Sequence, residues 1–148
     1  MIHLRRTPNA GPLRGIARGQ GLVEFALMIP ILVVLVIGAL DFGMAFYYKV
    51  VLTNSVREGA NWVVYHAGTD FSEDETRNAV QVEGANSGVS IAADDIDVQC
   101  LDGGGIPATG CPHGSMAVVS ASYPMDLLVE VIFHGPLQLR SEARMLVP

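Results

Sequence analysis

The sequence lacks the patterns that build catalytic or metal sites. It holds two cysteines and four histidines, and the histidines do not have the spacing of a zinc-binding His-Glu-x-x-His helix. Its three consecutive glycines, residues 103–105, are not followed by the lysine and hydroxyl residue of a phosphate-binding loop. It also has no serine-nucleophile pattern. The sequence therefore predicts no enzyme, no cofactor, no bound metal and no small-molecule substrate.

Basic residues are scarce and unevenly placed. Four of the nine lysines and arginines precede residue 20, with no acidic residue among them. They are Arg5, Arg6, Arg14 and Arg18. From residue 20 onward, five basic residues stand against fifteen acidic ones, so the formal charge of that part is 5 − 15 = −10. This acidic balance argues against nucleic acid binding and against a second, polybasic membrane contact.

Charge is absent from residues 25–40. Eleven of these sixteen residues are Phe, Leu, Ile or Val. Their composition favours bilayer insertion by about 3–7 kcal/mol, which outweighs the single interior proline, Pro30. About 20 helical residues cross a hydrocarbon core of ~30 Å, and residues 20–40 supply that length. The sequence therefore predicts one membrane-spanning helix, at about residues 22–41.

The flanks of this span predict its orientation and a site. The arginines before it predict a cytoplasmic N-terminus and an exported C-terminal part. Glu24 lies just inside the apolar run, where a carboxylate costs a few kcal/mol unless it has a partner. We therefore treat Glu24 as a candidate functional residue. The alternative, that its side chain only reaches back to the headgroup region, stays open.

Beyond the span, the residue pattern predicts an exported α+β domain. Apolar residues at helical spacing from Leu52 to Ala67 extend the first helix over residues 22–67, with Gly68 as its stop signal. Ser72 and Glu75 form a capping box that starts a short helix over residues 73–86. Strands of a small antiparallel sheet are predicted at residues 89–92, 96–100, 116–123 and 137–146. Pro124 is expected to end the third of them, and residues 127–133 fit either a strand or a helix.

The cysteines and an aspartate cluster lie in the part of the chain that is predicted to be exported. Cys100 and Cys111 are expected to form a disulfide, because exported cysteines usually pair. A metal site that also uses His113 is the weaker alternative, since the spacing matches no zinc signature. Three aspartates, Asp94, Asp95 and Asp97, are expected to form a solvated turn and strand face. Their spacing fits no calcium loop.

A known family shows the same motifs. Residues 18–27, Pro30, residues 41–43 and residues 53–60 together resemble the TadE-like minor pseudopilins of the tight-adherence (Tad) pilus, a type IV filament system. The resemblance implies a pilin-like fold and cleavage by a prepilin peptidase between Gly19 and Gln20. Glu24 and Phe25 would then be the fifth and sixth residues of the mature chain. Gly21 departs from the family's more usual alanine.

The resemblance also implies an organisation and a function. Residues 1–19 would be a basic leader, residues 20–67 a long helix and residues 68–148 the exported domain. The protein would be a structural subunit that partners the membrane, the prepilin peptidase and other pilin subunits. It would lie in the cytoplasmic membrane and, after assembly, in an adhesive extracellular pilus. Two alternatives remain: a signal-anchored periplasmic or surface binding domain that stays outside filaments, and a membrane-tethered enzyme.

Overall fold

The computed structural model describes residues 17–68, 71–128 and 135–148, with side chains from residue 19 onward. Two helices, α1 (Ala17–Tyr65) and α2 (Glu73–Asn86), precede a short 3-10 turn, Ala93–Asp95. Strands β1 (Ile96–Leu101), β2 (Met116–Met125) and β3 (Leu137–Leu146) follow. This confirms the predicted α+β class. Most of the expected leader, residues 1–16, lies outside the described residues.

The chain divides into two compact units, the first ending at Val36 and the second running from Ile37 to Pro148. In the first unit, the described residues are all helical. Twelve large apolar side chains between Leu22 and Val36 are each 42% to 73% exposed. Helix α1 is long and apolar enough to cross a membrane. The helix continues through Pro30.

The second unit has one hydrophobic core, built between α1, α2 and the sheet. One stripe of α1 is completely buried, and each of its larger side chains gains about 1.5–3 kcal/mol from burial. The stripe consists of Leu52, Val56, Ala60 and Val63. These are the residues whose helical spacing predicted a buried face. The opposite face carries exposed Asn54, Arg57 and Glu58.

The sheet is antiparallel with strand order β1-β2-β3. Val119 of β2 lies opposite Val98 of β1 and Ala143 of β3, and all three side chains are buried on one face. Inward and outward residues alternate along β1 and β3, as expected for a sheet with one face on the core. The strand predicted at residues 137–146 is confirmed.

Helix α2 begins and ends as its sequence predicts. The Ser72 side chain accepts a hydrogen bond from the Glu75 backbone N–H at 3.4 Å, which caps the first turn. At the other end, Gly88 adopts a positive φ of 74° and donates to the Ala85 carbonyl. The helix lies at the surface on one side, but Thr76, Val80 and Gly84 are buried on the other.

Two strand predictions are wrong. Residues 89–92 are not a strand, because the Val89 N–H bonds the Gly84 carbonyl and the Ile91 carbonyl accepts from the Gln81 side chain. These backbone groups are therefore hydrogen-bonded to α2 and not to a neighbouring strand, although Val89 and Ile91 are buried. Nor does Pro124 end β2, which continues to Met125. Beyond Ala121, the described residues pair with β2 only through β3, so on its other side β2 tolerates a residue without an N–H.

Cys100 and Cys111 form the expected disulfide, with 5.2 Å between their Cα atoms. Both cysteines are buried, and the bond closes the loop that connects β1 to β2. In the chain-entropy model, a disulfide that closes a loop of about this length stabilises the folded state by roughly 3 kcal/mol. The disulfide therefore strengthens a sheet that has only three strands in the described part of the chain.

Gly59 lies at the junction of α1, α2 and the sheet. A methyl group added there would collide with the side chain of Val80 in α2 and lie 3.3 Å from that of Val119 in β2. The absence of a side chain at residue 59 therefore lets three elements meet.

We predict that Gly59→Ala lowers the free energy of unfolding by about 1–2 kcal/mol, because overpacking outweighs the gain in helix propensity. Gly43→Ala is the matched control, since nothing lies within 4 Å of a methyl group at that position in the same helix. It should leave stability unchanged or raise it by up to about 1 kcal/mol. Urea unfolding of detergent-solubilised protein, followed by Trp62 fluorescence, measures both. Equal stabilities would contradict the close packing at Gly59.

Candidate functional site

The residues predicted for processing and assembly lie together at the start of α1. Gly19, Gln20, Glu24 and Phe25 occupy its first turns, and all four are exposed. Gly19 has open space around it, with nothing within 4 Å of an added methyl group. The bond between Gly19 and Gln20 is thus part of the helix.

Glu24 has a neutral partner within its own chain. The Gln20 side-chain amide donates to a Glu24 carboxylate oxygen at 3.2 Å, one helical turn away. Among the side chains that the structure describes, none forms an ion pair with Glu24. Phe25 is 67% exposed beside it, and the next ionisable residue along the helix is Asp41. Glu24 is therefore an acid at the edge of a long apolar surface, with its charge unmatched by the described part of the chain.

Asp41 has a different environment, which the sequence did not predict. Asp41 follows Gln20 by 21 residues, or roughly 32 Å along a helix, so its sequence position predicts a carboxylate at the outer headgroup level that need not be buried. Instead, the residue is only 7% exposed, and its side chain accepts a hydrogen bond of 2.8 Å from the Leu128 backbone N–H. The reason is that the chain returns to α1 after β2. A carboxylate in this place holds residues 126–128 against the helix.

Further polar contacts attach the following turns of α1 to the rest of the second unit. The Tyr47 hydroxyl donates to the Ser87 carbonyl at 2.6 Å, and Lys49 donates to the Arg140 carbonyl. Thr53 and Ser141 share a hydrogen bond of 2.9 Å. Tyr48 packs against Tyr123, with 5.2 Å between the ring centroids. Tyr47 and Tyr48 therefore both contact other parts of the second unit, whereas the neighbouring Phe46 is exposed.

The aspartates near β1 take the places predicted for them. Asp94 and Asp95 end the 3-10 turn, and Asp97 points outward from β1. Asp95 accepts from the Ser122 hydroxyl at 3.3 Å and Asp97 from the Gln99 amide at 2.8 Å. Within residues 17–68, 71–128 and 135–148, no group of three or more His, Cys, Asp or Glu residues is arranged to hold a metal.

The decisive comparison concerns α1. Residues 19–61 match the family model of TadE-like proteins. The matched region begins at the glycine expected before the cleavage site and contains Gln20, Glu24, Phe25 and Asp41. A search of curated proteins found no match to the chain, and a search of solved structures found none either.

The TadE-like match confirms the resemblance drawn from residues 18–60. It covers most of α1, including Leu52, Val56 and Ala60 of the buried stripe, and stops before Val63 and α2. The TadE-like family is a pilus structural family rather than an enzyme family, so the match indicates a protein related to the Tad pilus.

We predict that Asp41→Ala speeds hydrogen exchange of the Leu128 backbone amide by roughly ten- to hundredfold. The reason is the loss of a hydrogen bond to a charged group, which is worth about 1.5–3 kcal/mol. Asp94→Ala, which removes an exposed carboxylate from the 3-10 turn, is the control and should leave Leu128 unchanged. Hydrogen exchange measured by mass spectrometry on overlapping peptides tests this. Unchanged exchange in Asp41→Ala would contradict the assigned contact.

Proposed function

We propose that this protein is a minor pseudopilin, a structural and assembly subunit of a Tad-type pilus, trimmed after Gly19 by a prepilin peptidase. The observation that carries the proposal is the TadE-like match, which starts at Gly19 and runs along one helix. The apolar run near its start, residues 20–40, has the length and composition of a membrane span. The subunit is therefore held in the bilayer before it enters a filament.

Export of the second unit is supported by charge and by the disulfide. Arginines without acidic neighbours precede the span, which favours a cytoplasmic N-terminus. The Cys100–Cys111 disulfide belongs to an oxidising compartment, which fits a C-terminal part outside the cytoplasm. The proposed arrangement is a single pass, with the α+β unit outside.

Assembly is proposed to depend on a charge pair between subunits. Cleavage after Gly19 would create an α-amine on Gln20, which is largely protonated at neutral pH. The Glu24 carboxylate of a neighbouring subunit is its natural partner, because two opposite charges in a low-dielectric bundle offset each other's desolvation. Glu24 keeps acceptor capacity for this contact, since a carboxylate has about four lone-pair sites and Gln20 uses one.

Phe25 is proposed to support the same contact through packing. Its ring is exposed next to Glu24 and belongs to an apolar surface far larger than an isolated soluble chain tolerates. In lipid, helix association depends on close packing and on polar pairs rather than on the hydrophobic effect. The register between neighbouring helices then follows from the charge pair, and the apolar side chains around it complete the contact.

The leader assignment predicts that Gly19→Ala blocks processing. The family pattern places glycine directly before the cut, where any side chain must fit the peptidase site. Gly21→Ala is the matched control, since it introduces the family's usual residue at another open position of the same helix. Intact mass of the membrane-extracted variants should show residues 1–19 retained in Gly19→Ala and removed in Gly21→Ala. A Gly19→Ala chain that begins at Gln20 would contradict the assignment.

The charge-pair mechanism predicts that Glu24→Gln leaves insertion and cleavage intact but lowers co-purification with other pilin subunits at least tenfold. Breaking a buried pair costs about 3–5 kcal/mol, which exceeds the 1.4 kcal/mol that a tenfold change requires. Asp94→Asn removes the same charge from the exposed 3-10 turn and should have no effect. Quantitative immunoprecipitation from detergent extracts measures both variants. Normal association of Glu24→Gln would refute the pairing while leaving the processing assignment standing.

A further inference from the structure

A groove runs along α1 and α2 in the second unit, away from the proposed processing and assembly residues. Its volume is about 630 Å³, within the usual range for binding sites. Residues spaced by one turn line it on each helix. They include Glu58, Trp62 and His66 of α1, and Glu75, Val82 and Glu83 of α2.

The charged groups in this groove are all of one sign. Three glutamates line it, and its lining contains no lysine or arginine. The ion pairs among the described residues belong to other carboxylates: Glu73 and Asp74 pair with Arg77, and Glu142 pairs with Arg144. Glu58, Glu75 and Glu83 are therefore available to a cation from outside the chain.

An aromatic pair forms part of the same lining. The rings of Trp62 and His66 stack with 4.0 Å between their centroids and 14° between their planes. A contact of 2.9 Å between His66 Nδ1 and the Trp62 carbonyl holds the imidazole in place. Trp62 is half-buried, whereas Val82 is 51% exposed. Carboxylates beside an indole and an apolar side chain suit a lysine or arginine, whose charged head and aliphatic stem need both kinds of contact.

We propose that this groove docks a segment of another protein that presents lysine or arginine. A second copy of this chain is a poor occupant, because residues 20–148 contain five basic residues against fifteen acidic ones. Two such surfaces repel each other, whereas a basic partner is attracted. The proposal goes beyond the pilin assignment, because the groove lies on the second unit and does not depend on cleavage after Gly19.

Trp62 provides the readout, because it is the only tryptophan in the chain. The full chain, purified in a non-ionic detergent, is titrated at 0.15 M salt with a capped Gly-Lys-Gly-Arg-Gly peptide. A capped Gly-Glu-Gly-Asp-Gly peptide is the charge control. We expect a saturable change in Trp62 fluorescence with the basic peptide alone, weakened by added salt because the groove is open to solvent.

The variants locate the site. Replacing Glu58, Glu75 and Glu83 together by glutamine should weaken binding at least about tenfold, and Glu58→Gln alone about two- to fivefold. The matched control replaces Asp94, Asp97 and Asp126 by asparagine, which removes the same charge from exposed positions outside the groove lining. The control should bind like the unmodified protein. The single variant keeps the test decisive if the triple variant does not fold.

Three results would overturn the proposal. One is the absence of any saturable change up to about 10 mM peptide, a concentration that corresponds to negligible affinity. Another is an equal loss in the control variant, which would show that net charge and not the groove attracts the peptide. The third is an equal fluorescence change with millimolar Ca²⁺ alone, which would assign the carboxylates to a metal ion. None of these results would bear on processing after Gly19.

Discussion

The packing of one stripe of α1 against the three-stranded sheet is the interaction on which the second unit depends. A small sheet is only marginally stable by itself, and it needs a helix packed on its hydrophobic face. Leu52, Val56 and Val63 supply that cover without any exposed surface. Gly59 lets the helix approach both Val80 and Val119, so α2 and the sheet share one core. The disulfide then closes the longest connection within this unit that the structure describes in full.

Near its start, the same helix exposes its apolar side chains instead of burying them in the core. Between Leu22 and Val36 the large side chains are exposed and apolar, a surface that needs lipid or neighbouring helices to cover it. Glu24 interrupts that surface with a charge. In the proposed function, the demand for a partner charge selects the register between subunits. In water the same carboxylate would have little influence, since solvent would screen it.

Local patterns predicted most of the elements. Ser72 and Glu75 identified the start of α2, because a capping box involves residues three apart and needs no distant partner. The alternation along residues 137–146 identified β3 and its buried face, and helical spacing identified the stripe from Leu52 to Val63. For the proposed processing site, the glycine, glutamate and aromatic at fixed spacing pointed to the TadE-like family that residues 19–61 match.

The predictions that were wrong all depend on contacts with other parts of the chain, which the local residue pattern does not show. Asp41 is buried where the backbone N–H of Leu128, 87 residues later, donates a hydrogen bond to its side chain. No residue pattern near Asp41 predicts that contact. Residues 89–92 are apolar enough for a strand, yet α2 uses their backbone groups. Pro124 was expected to stop β2, but at that point none of the described strands pairs with β2 on the side away from β3. The groove containing Trp62 exists only because two helices meet.

The measurement that tests the central claim most directly is the intact mass of the unmodified protein, extracted from membranes of cells with an active prepilin peptidase. The account predicts a chain that begins at Gln20, and a chain that still carries residues 1–19 would contradict it.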